Sequence, residues 1–463
     1  MDDASLAMNI IQRNVLGLFQ TLDYFQKAPP FFMVFTWVIY HTFGISEFSF
    51  RFIPFVSSIA AIFLFFKVAE KYLNNKISVI FALFLFVVNS KLIYYAQAFK
   101  QYSSDVLIIL LLLYFYTMLN SFCTEERKKH VFVLIGLIIG FLTLFSYPVL
   151  FVFPIIILLA LLNNFNKKNF INLCIMSIPF ALVCFYYIFQ AFGADSTQKE
   201  LINMWNNIEV CGFFSADMQS NCLPIKKNIL YLFDSYNFKF ILLSIFSGSV
   251  FFFFSNKKKF YLIFGVILLT VFASIMKLYP FSERTIMFLL PLIILLVAKN
   301  LDYFSPKKIV TYLIPIMLAF SFVGYDFNYV KNMFCMKINI PIYPEDKNIR
   351  EMYKYICENK DDNDFFVYFQ HESISNYYLR YYAKENSNIL SPEIEISDDK
   401  IKKEEYFAWL NSCEKGRTYW LFTFYLPYLN QIDSYTKEYL TKNNLPFETK
   451  DLGENYKFYK FTL

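Results

Sequence analysis

The sequence predicts a mostly helical, polytopic membrane bundle that carries a small extracytoplasmic α/β domain at its C-terminal end. Three observations predict it. The chain is 57% hydrophobic and 21% aromatic with only 17% charged residues and a mean hydropathy of +0.40, a balance that belongs to membrane proteins. Nearly uncharged runs of spanning length return from Phe52 to Tyr325, which a water-soluble core would not need. Beyond about residue 340 those runs stop, charged residues rise, and short alternating segments replace them.

Residues 1–49 precede the first long run and form the first region, an outer juxtamembrane segment that holds the candidate catalytic groups. Asp2 and Asp3 open a segment in which Met8, Ile11, Val15, Leu18, Phe19 and Leu22 recur at three- and four-residue spacing, the mark of an amphipathic helix. Lys27 and the pair Pro29-Pro30 end that helix, and a second one, Phe31 to Phe43, is apolar on almost every side. At about 1.5 Å per residue it is too short to cross roughly 30 Å of hydrocarbon, so it is expected to lie in the interface.

The second region, 50–325, reads as ten spans near 50–69, 77–95, 104–122, 131–146, 148–163, 170–193, 237–254, 260–278, 285–300 and 308–325. Their connections alternate in charge. One set holds Lys71 and Lys76, Arg127 to Lys129, Lys167 and Lys168, Lys257 to Lys259, and Lys299, Lys307 and Lys308; the other set carries only scattered cations such as Lys100, Lys277 and Arg284. The positive-inside rule puts the first set in the cytoplasm of a plasma or inner membrane. Residues 1–49, the loop around Lys100, the loop 194–236, the turn YPFSER and the tail then face outward. A chain that begins outside is expected to need a span or signal before it, which points to a first membrane helix upstream of Met1. The net charge of +6 follows this alternation and forms no patch, which excludes a nucleic-acid footprint.

The third region, 326–463, is the α/β domain. FFVYFQ (365–370), RTYWLFTF (417–424) and FYKFTL (458–463) read as strands, and 372–385, 401–412 and 427–443 as helices. Eight cysteines show no CxxC or Cys/His metal spacing. Cys211 and Cys222 bracket a short outer loop and are candidates for a disulfide, with ordinary apolar filling as the other reading.

Three outward elements combine charge with membrane-level position. They are Asp2-Asp3; the stretch YYAQAFKQYSSDV, where Lys100, Tyr102 and Asp105 interrupt an apolar run; and KLYPFSERT, with Glu283 and Arg284. Charged groups near membrane depth are costly and tend to mark sites. Each also has a plain reading: Lys27, Lys100 and Arg284 as snorkelling anchors, an Asp as a helix N-cap, and Tyr24, Trp37, Tyr40, Tyr94 and Tyr95 as interface-belt aromatics. Together they suit attack of a hydroxyl on a sugar whose leaving group is a lipid phosphate. A carboxylate would act as general base, and cations would stabilise the departing phosphate.

These residues resemble those of the GT-C-fold membrane glycosyltransferases, in particular the bacterial branch similar to protein O-mannosyltransferases, the lipid A aminoarabinose transferase and the lipopolysaccharide core glycosyltransferases. The likeness runs over residues 1–300 through DDASLAMNI, YFQKAPPFF, FGISEFSFRFIP, KQYSSD and YPFSERTIMFLLP, in that order. It implies Asp2 as the catalytic aspartate, with Asp3 beside it in acceptor or metal contact. It further implies Lys27, Lys100 and Arg284 on the donor phosphate, and Tyr102 and Asp105 in substrate binding. A Mg or Mn ion on Asp2 and Asp3 is a further implication. Asp3 stands where relatives more often carry Glu, Lys27 is offset by one residue, and Ala98 replaces a carboxylate common in relatives.

The reaction expected is inverting transfer from a polyprenyl-phosphate sugar to an envelope glycan, lipid or protein at the outer face. A transporter or flippase for lipid-linked glycans is the alternative from another class; it predicts charges deep inside several spans, whereas here they crowd at span ends. A catalytically silent truncated relative is the third.

Overall fold

The computed structural model describes residues 2–124, 129–163, 167–192, 231–233, 238–282, 284–303, 354–356, 358–359, 361, 363–368, 388–390, 396–397, 400–424, 429–451 and 456–463. The predicted tenth span, the helix at 372–385, Glu283, Cys211 and Cys222 lie outside the described residues. The chain divides into two compact units. One joins the described residues of 2–11 with those of 354–463, and the other comprises 12–303. The division falls at Gln12, inside the segment that the sequence suggests is one outer region.

The first helix, α1, covers Asp2–Gln12. The helical spacing continues to Leu22, but the helix does not. Asn14 Oδ1 accepts from Gly17 N at 2.8 Å, and the Arg13 guanidinium donates to the carbonyls of Gly17 and Thr21 and pairs with Asp23 at 2.7 Å. Side chains thus bind backbone groups that a continuous helix would use, and a single 3-10 turn, Leu16–Phe19, follows. Helix α2, Pro30–Phe43, starts where the proline pair predicts and ends at Gly44, whose φ of 77° suits glycine.

The bundle continues with α3 (Glu47–Tyr72), α4 (Lys76–Val87), α5 (Ser90–Gln97), α6 (Tyr102–Thr124), α7 (Lys129–Phe145), α8 (Val149–Asn163), α9 (Lys167–Phe192), α10 (Phe238–Ser255), α11 (Lys257–Ile275) and α12 (Leu290–Lys299). These helices fall on nine of the ten predicted spans. Among the described residues, α3, α6, α9 and α11 are each long and apolar enough to cross a membrane, and α4 with α5 makes a further span bent by 49°. The bend has a local cause. Asn89 Oδ1 accepts from Lys91 N and Leu92 N, both at 3.1 Å, and so restarts the helix in a new direction. The chain is a multi-pass membrane protein.

Packing is close where small residues allow it. Helix α7 packs along α9, and a Cβ at Gly136 would sit 2.6 Å from the Met176 carbonyl, with one at Gly140 2.9 Å from Pro179. That is a small-xxx-small seam. Gly248 of α10 meets the Leu296 carbonyl of α12 more closely still. Outward positions such as Phe63, Phe185, Phe189 and Phe254 are exposed, as a lipid-facing surface requires.

In the other unit, β1 (Phe365–Tyr368), β2 (Asn388–Leu390), β5 (Thr418–Phe424), β6 (Phe447–Asp451) and β7 (Tyr456–Thr462) form one sheet in the order β2-β1-β5-β7-β6. The short pair β3 (Ile396–Ser397) and β4 (Lys400–Ile401) stands apart. β1 runs parallel to β2 and β5, while β7 is antiparallel to β5 and β6. Helices α13 (Lys403–Ser412) and α14 (Leu429–Lys442) bury Tyr406, Leu410, Ile432 and Leu440 in the same core as Val367, Leu421 and Tyr459 of the sheet. The α/β character follows the sequence pattern. β6 does not: four of the five residues of FETKD are polar, so no apolar alternation signals a strand.

Candidate functional site

The junction of α5 and α6 gathers the candidate groups of the larger unit. α5 ends at Gln97, and the next residues turn sharply, with Lys100 N donating to the Ala98 carbonyl at 2.8 Å. This turn buries Lys100, whose Nζ donates to Gln26 Oε1 at 2.8 Å. The loop carrying Lys27 therefore lies against the loop carrying Lys100. Phe99 anchors the turn between Phe32 of α2 and Phe50 of α3, at ring separations of 5.8 and 5.3 Å.

Both loops that bring cations here contain left-handed backbone at residues other than glycine. Tyr24 and Phe25 have φ of 59° and 55° immediately before Gln26 and Lys27, and Lys277 has φ of 58° at the start of the loop that leads to Arg284. Such conformations cost about 1–3 kcal/mol each and concentrate where a site must be held in place. Arg13 braces the first loop, since its side chain holds the carbonyls of Gly17 and Thr21 while its own carbonyl accepts from Trp37 Nε1 at 3.2 Å. In the second loop, Thr285 Oγ1 accepts from Ser282 N and donates to the Pro280 carbonyl, and Tyr279 OH donates to the Thr285 carbonyl at 2.9 Å.

Lys27 is open to solvent, yet the protein around it displaces enough water to lower its ammonium below the usual lysine range. It thus combines access with partial desolvation, as in a recess. Arg284 is half-buried and lies within electrostatic reach of the Tyr95 hydroxyl. Tyr95 packs edge-on against Tyr102 at 4.9 Å and meets Tyr231 OH at 3.2 Å. At 6% exposure Tyr95 is an interior residue, so the interface-belt reading does not hold for it. The bend at Asn89 turns it inward.

Asp105 is buried and accepts from Ser146 Oγ at 2.6 Å. Ser146 leads into Tyr147, which packs on Tyr187 at 5.3 Å. Burial raises the Tyr279 hydroxyl well above its ordinary range, and Asp105 and then Tyr102 push it in the same direction. The carboxyl accepts from the Ser146 hydroxyl and lies within electrostatic reach of the hydroxyls of Tyr147, Tyr187 and Tyr279. Its geometry is that of a residue holding others in position.

The structure brings Lys27, Lys100, Tyr102, Asp105 and Arg284 to one end of the bundle. Asp2 and Asp3 open α1, in the other unit; Asp3 is half-buried in the first turn of its helix. Among the described residues no three His, Cys, Asp or Glu side chains come together in a way that could hold a metal ion. Sequence reasoning missed Gln26, Ser146, Tyr279 and Gln101. Gln101 is buried, and its Oε1 has no hydrogen-bond partner among the described residues, a cost that a bound polar group would relieve. The signal available was adjacency, since Gln26 and Gln101 are chain neighbours of Lys27 and Lys100.

Comparison with known proteins fits this architecture. The family model described as dolichyl-phosphate-mannose-protein mannosyltransferase matches residues 27–189. ArnT from Cupriavidus metallidurans bound to undecaprenyl phosphate superimposes with a TM-score of 0.58 at 12% identity, covering 99% of this chain and 93% of that one. The chain has the GT-C fold of membrane glycosyltransferases. The apo state of the same ArnT gives a TM-score of 0.56 at 11% identity, with 99% and 92% covered. No match to this GT-C chain was found among curated proteins. The family model starts at Lys27 and takes in Lys100, Tyr102 and Asp105, while Asp2, Asp3 and Arg284 lie beyond its limits. Fold and family model together support the glycosyltransferase class read from the sequence.

Proposed function

We propose that the chain transfers a sugar from a polyprenyl-phosphate donor to a hydroxyl of an envelope glycan, lipid or protein at the outer face of the plasma or inner membrane. The observation that carries this reading is the packing of the Lys27 loop on Lys100 through Gln26, with Arg284 within electrostatic reach of Tyr95 on α5, in a GT-C fold whose solved likeness, ArnT, was crystallised with undecaprenyl phosphate. In this reading the prenyl chain lies along the apolar bundle and the phosphate sits among the cations. Lys100, fixed by Gln26, and Lys27, already partly desolvated, are ready to meet an anion without much reorganisation.

As the acceptor oxygen attacks the anomeric carbon from the face opposite the phosphate, the glycosidic C–O bond breaks and negative charge grows on the departing phosphate oxygen. The three cations stabilise that charge more in the transition state than in the ground state. Asp2, by its place in the sequence motif, takes the proton from the acceptor hydroxyl. Tyr102 contacts the donor, and Asp105 fixes the surrounding hydroxyls through Ser146. In the same proposal Asp2 and Asp3 would hold a divalent cation, which would supply positive charge beside the acceptor.

The test uses the full chain in detergent or nanodiscs with radiolabelled polyprenyl-phosphate sugars and a crude envelope acceptor. Release of polyprenyl phosphate is expected, with loss of at least about 100-fold in Asp2→Asn, the scale of general-base contributions. Unchanged release in Asp2→Asn would end the base assignment. Donor binding without release for every sugar tested would end the transferase reading.

A further inference from the structure

The end of the bundle away from the α5–α6 junction holds a second feature. Helices α10 and α11 form a hairpin with a sharp turn at Asn256, whose side chain accepts from Lys259 N at 3.1 Å and starts α11. Between the two helices runs a groove of about 480 Å³, lined by Phe246, Ser249, Phe253, Phe254, Phe260 and Phe264 among others. Phe246 and Phe254 are largely exposed, so the groove opens outward from the bundle. At its turn end Lys257 Nζ sits 5.4 Å from the centre of the Phe253 ring. Lys257 and Lys258 are both exposed, and among the described residues neither meets a carboxylate.

We propose that this hairpin binds one anionic phospholipid of the leaflet that faces its lysine end. Three features argue for that occupant. The wall is aromatic and apolar, with Ser249 its one polar side chain, and matches an acyl chain. Two exposed cations, Lys257 and Lys258, stand together at the turn end of the groove, where a headgroup would sit, and Lys257 is held over the groove wall by the ring face. From Leu242 to Phe254 the groove follows about 18 Å of helix, close to the roughly 15 Å of one hydrocarbon leaflet. A polyprenyl phosphate offers the same phosphate, but its chain extends well past a groove of one leaflet's depth. Pairs of lysines between membrane helices are a recognised way to hold anionic headgroups. The Arg284 loop follows the opposite end of α11, about 28 Å along that helix, so this place is separate from the candidate donor site.

Native mass spectrometry of the full detergent-solubilised chain tests it, with phosphatidylglycerol, phosphatidylcholine of the same acyl chains and polyprenyl phosphate as probes. Phosphatidylglycerol is expected to bind about 5- to 30-fold more tightly than phosphatidylcholine, the scale of one to two surface lysines. In Lys257→Gln/Lys258→Gln that preference falls to near parity. Ser249→Trp, which fills the groove and keeps the lysines, weakens both phospholipids. Equal binding of the two headgroups by the natural chain overturns the proposal, as does a preference that survives the double substitution. Unaltered binding in Ser249→Trp removes the groove from it, and tighter, lysine-dependent binding of polyprenyl phosphate than of phosphatidylglycerol replaces the phospholipid as the occupant.

Discussion

The two ends of the helical bundle handle buried charge in opposite ways. At the lysine-rich end, Lys299 and Asp302 form an ion pair at 2.7 Å with side-chain exposures of 2% and 3%. Asp302 also accepts from Asn74 N and Asn75 N at 3.1 to 3.2 Å, tying the start of α4 to the end of α12, and Lys299 lies over the Phe252 ring. Charge meets charge, and both members of the pair have their partners. At the α5–α6 junction, by contrast, an amide oxygen accepts from a buried lysine and a hydroxyl donates to a buried carboxyl, while Gln101 Oε1 has no hydrogen-bond partner among the described residues. The first end is built to stay shut. The second keeps a buried acceptor, Gln101 Oε1, whose cost a bound polar group would relieve.

The largest expected effect tests the first half of that contrast. Asp302→Asn leaves Lys299 buried with only a neutral partner and is expected to destabilise the bundle by about 3–5 kcal/mol, the scale for breaking a buried pair. The measurement is the unfolding midpoint in detergent against a denaturant gradient. Lys299→Met/Asp302→Leu, which removes both charges, should recover most of the loss. A stable Asp302→Asn would mean that the pair is solvated and that the two ends are less different than they look.

Next in size is the opposite expectation for the other end. Lys100→Met removes a charge-assisted contact to the donor phosphate and should raise the apparent KM for the lipid donor by about 10- to 100-fold, with a smaller change in unfolding midpoint than Asp302→Asn gives. If Lys100→Met costs as much stability as Asp302→Asn and leaves donor affinity alone, Lys100 is structural and the contrast collapses.

Why one end was easier to anticipate than the other follows from the residues. Apolar runs fix helices with few alternatives, so nine of the ten predicted spans fall on helices, and the strands at 365, 418 and 456 follow their alternation. Lys27, Lys100 and Arg284 stood out because a charge near an apolar run is rare. Their partners did not stand out, since Gln26, Gln101, Ser146 and Tyr279 are ordinary residues whose roles come from loop geometry. The stop at Gln12 was hidden for a similar reason: the three- and four-residue spacing through Leu22 persists, and only the side-chain bonds of Arg13 and Asn14 overrule it. The pair Lys299–Asp302 was equally hidden, because its three-residue spacing looks like any surface pair until α4 and α12 close over it.

A smaller effect separates contact from positioning at Asp105. Asp105→Asn keeps an oxygen that can accept from Ser146 and loses only the charge, so kcat/KM is expected to fall by less than about 10-fold. Ser146→Ala, which removes the only donor to that carboxyl among the described residues, is expected to cost a similar amount. A loss of several hundred-fold in Asp105→Asn with Ser146→Ala nearly silent would show that the carboxylate itself touches substrate.

The finest test is the pH dependence at Lys27. Desolvation lowers its ammonium below the usual lysine range, so the side chain gives up its proton at a lower pH than an ordinary lysine. If the charged form holds the donor phosphate, kcat/KM falls as pH rises through that lowered value. Lys27→Arg keeps its charge throughout, and the alkaline limb of kcat/KM should move to higher pH with the neutral-pH rate changed by only a few-fold. The shift should be smaller in kcat, because bound phosphate stabilises the ammonium and raises its pKa again. An alkaline limb that stays in place in Lys27→Arg assigns it to another group, with the Lys100 ammonium next to be tested in the same way.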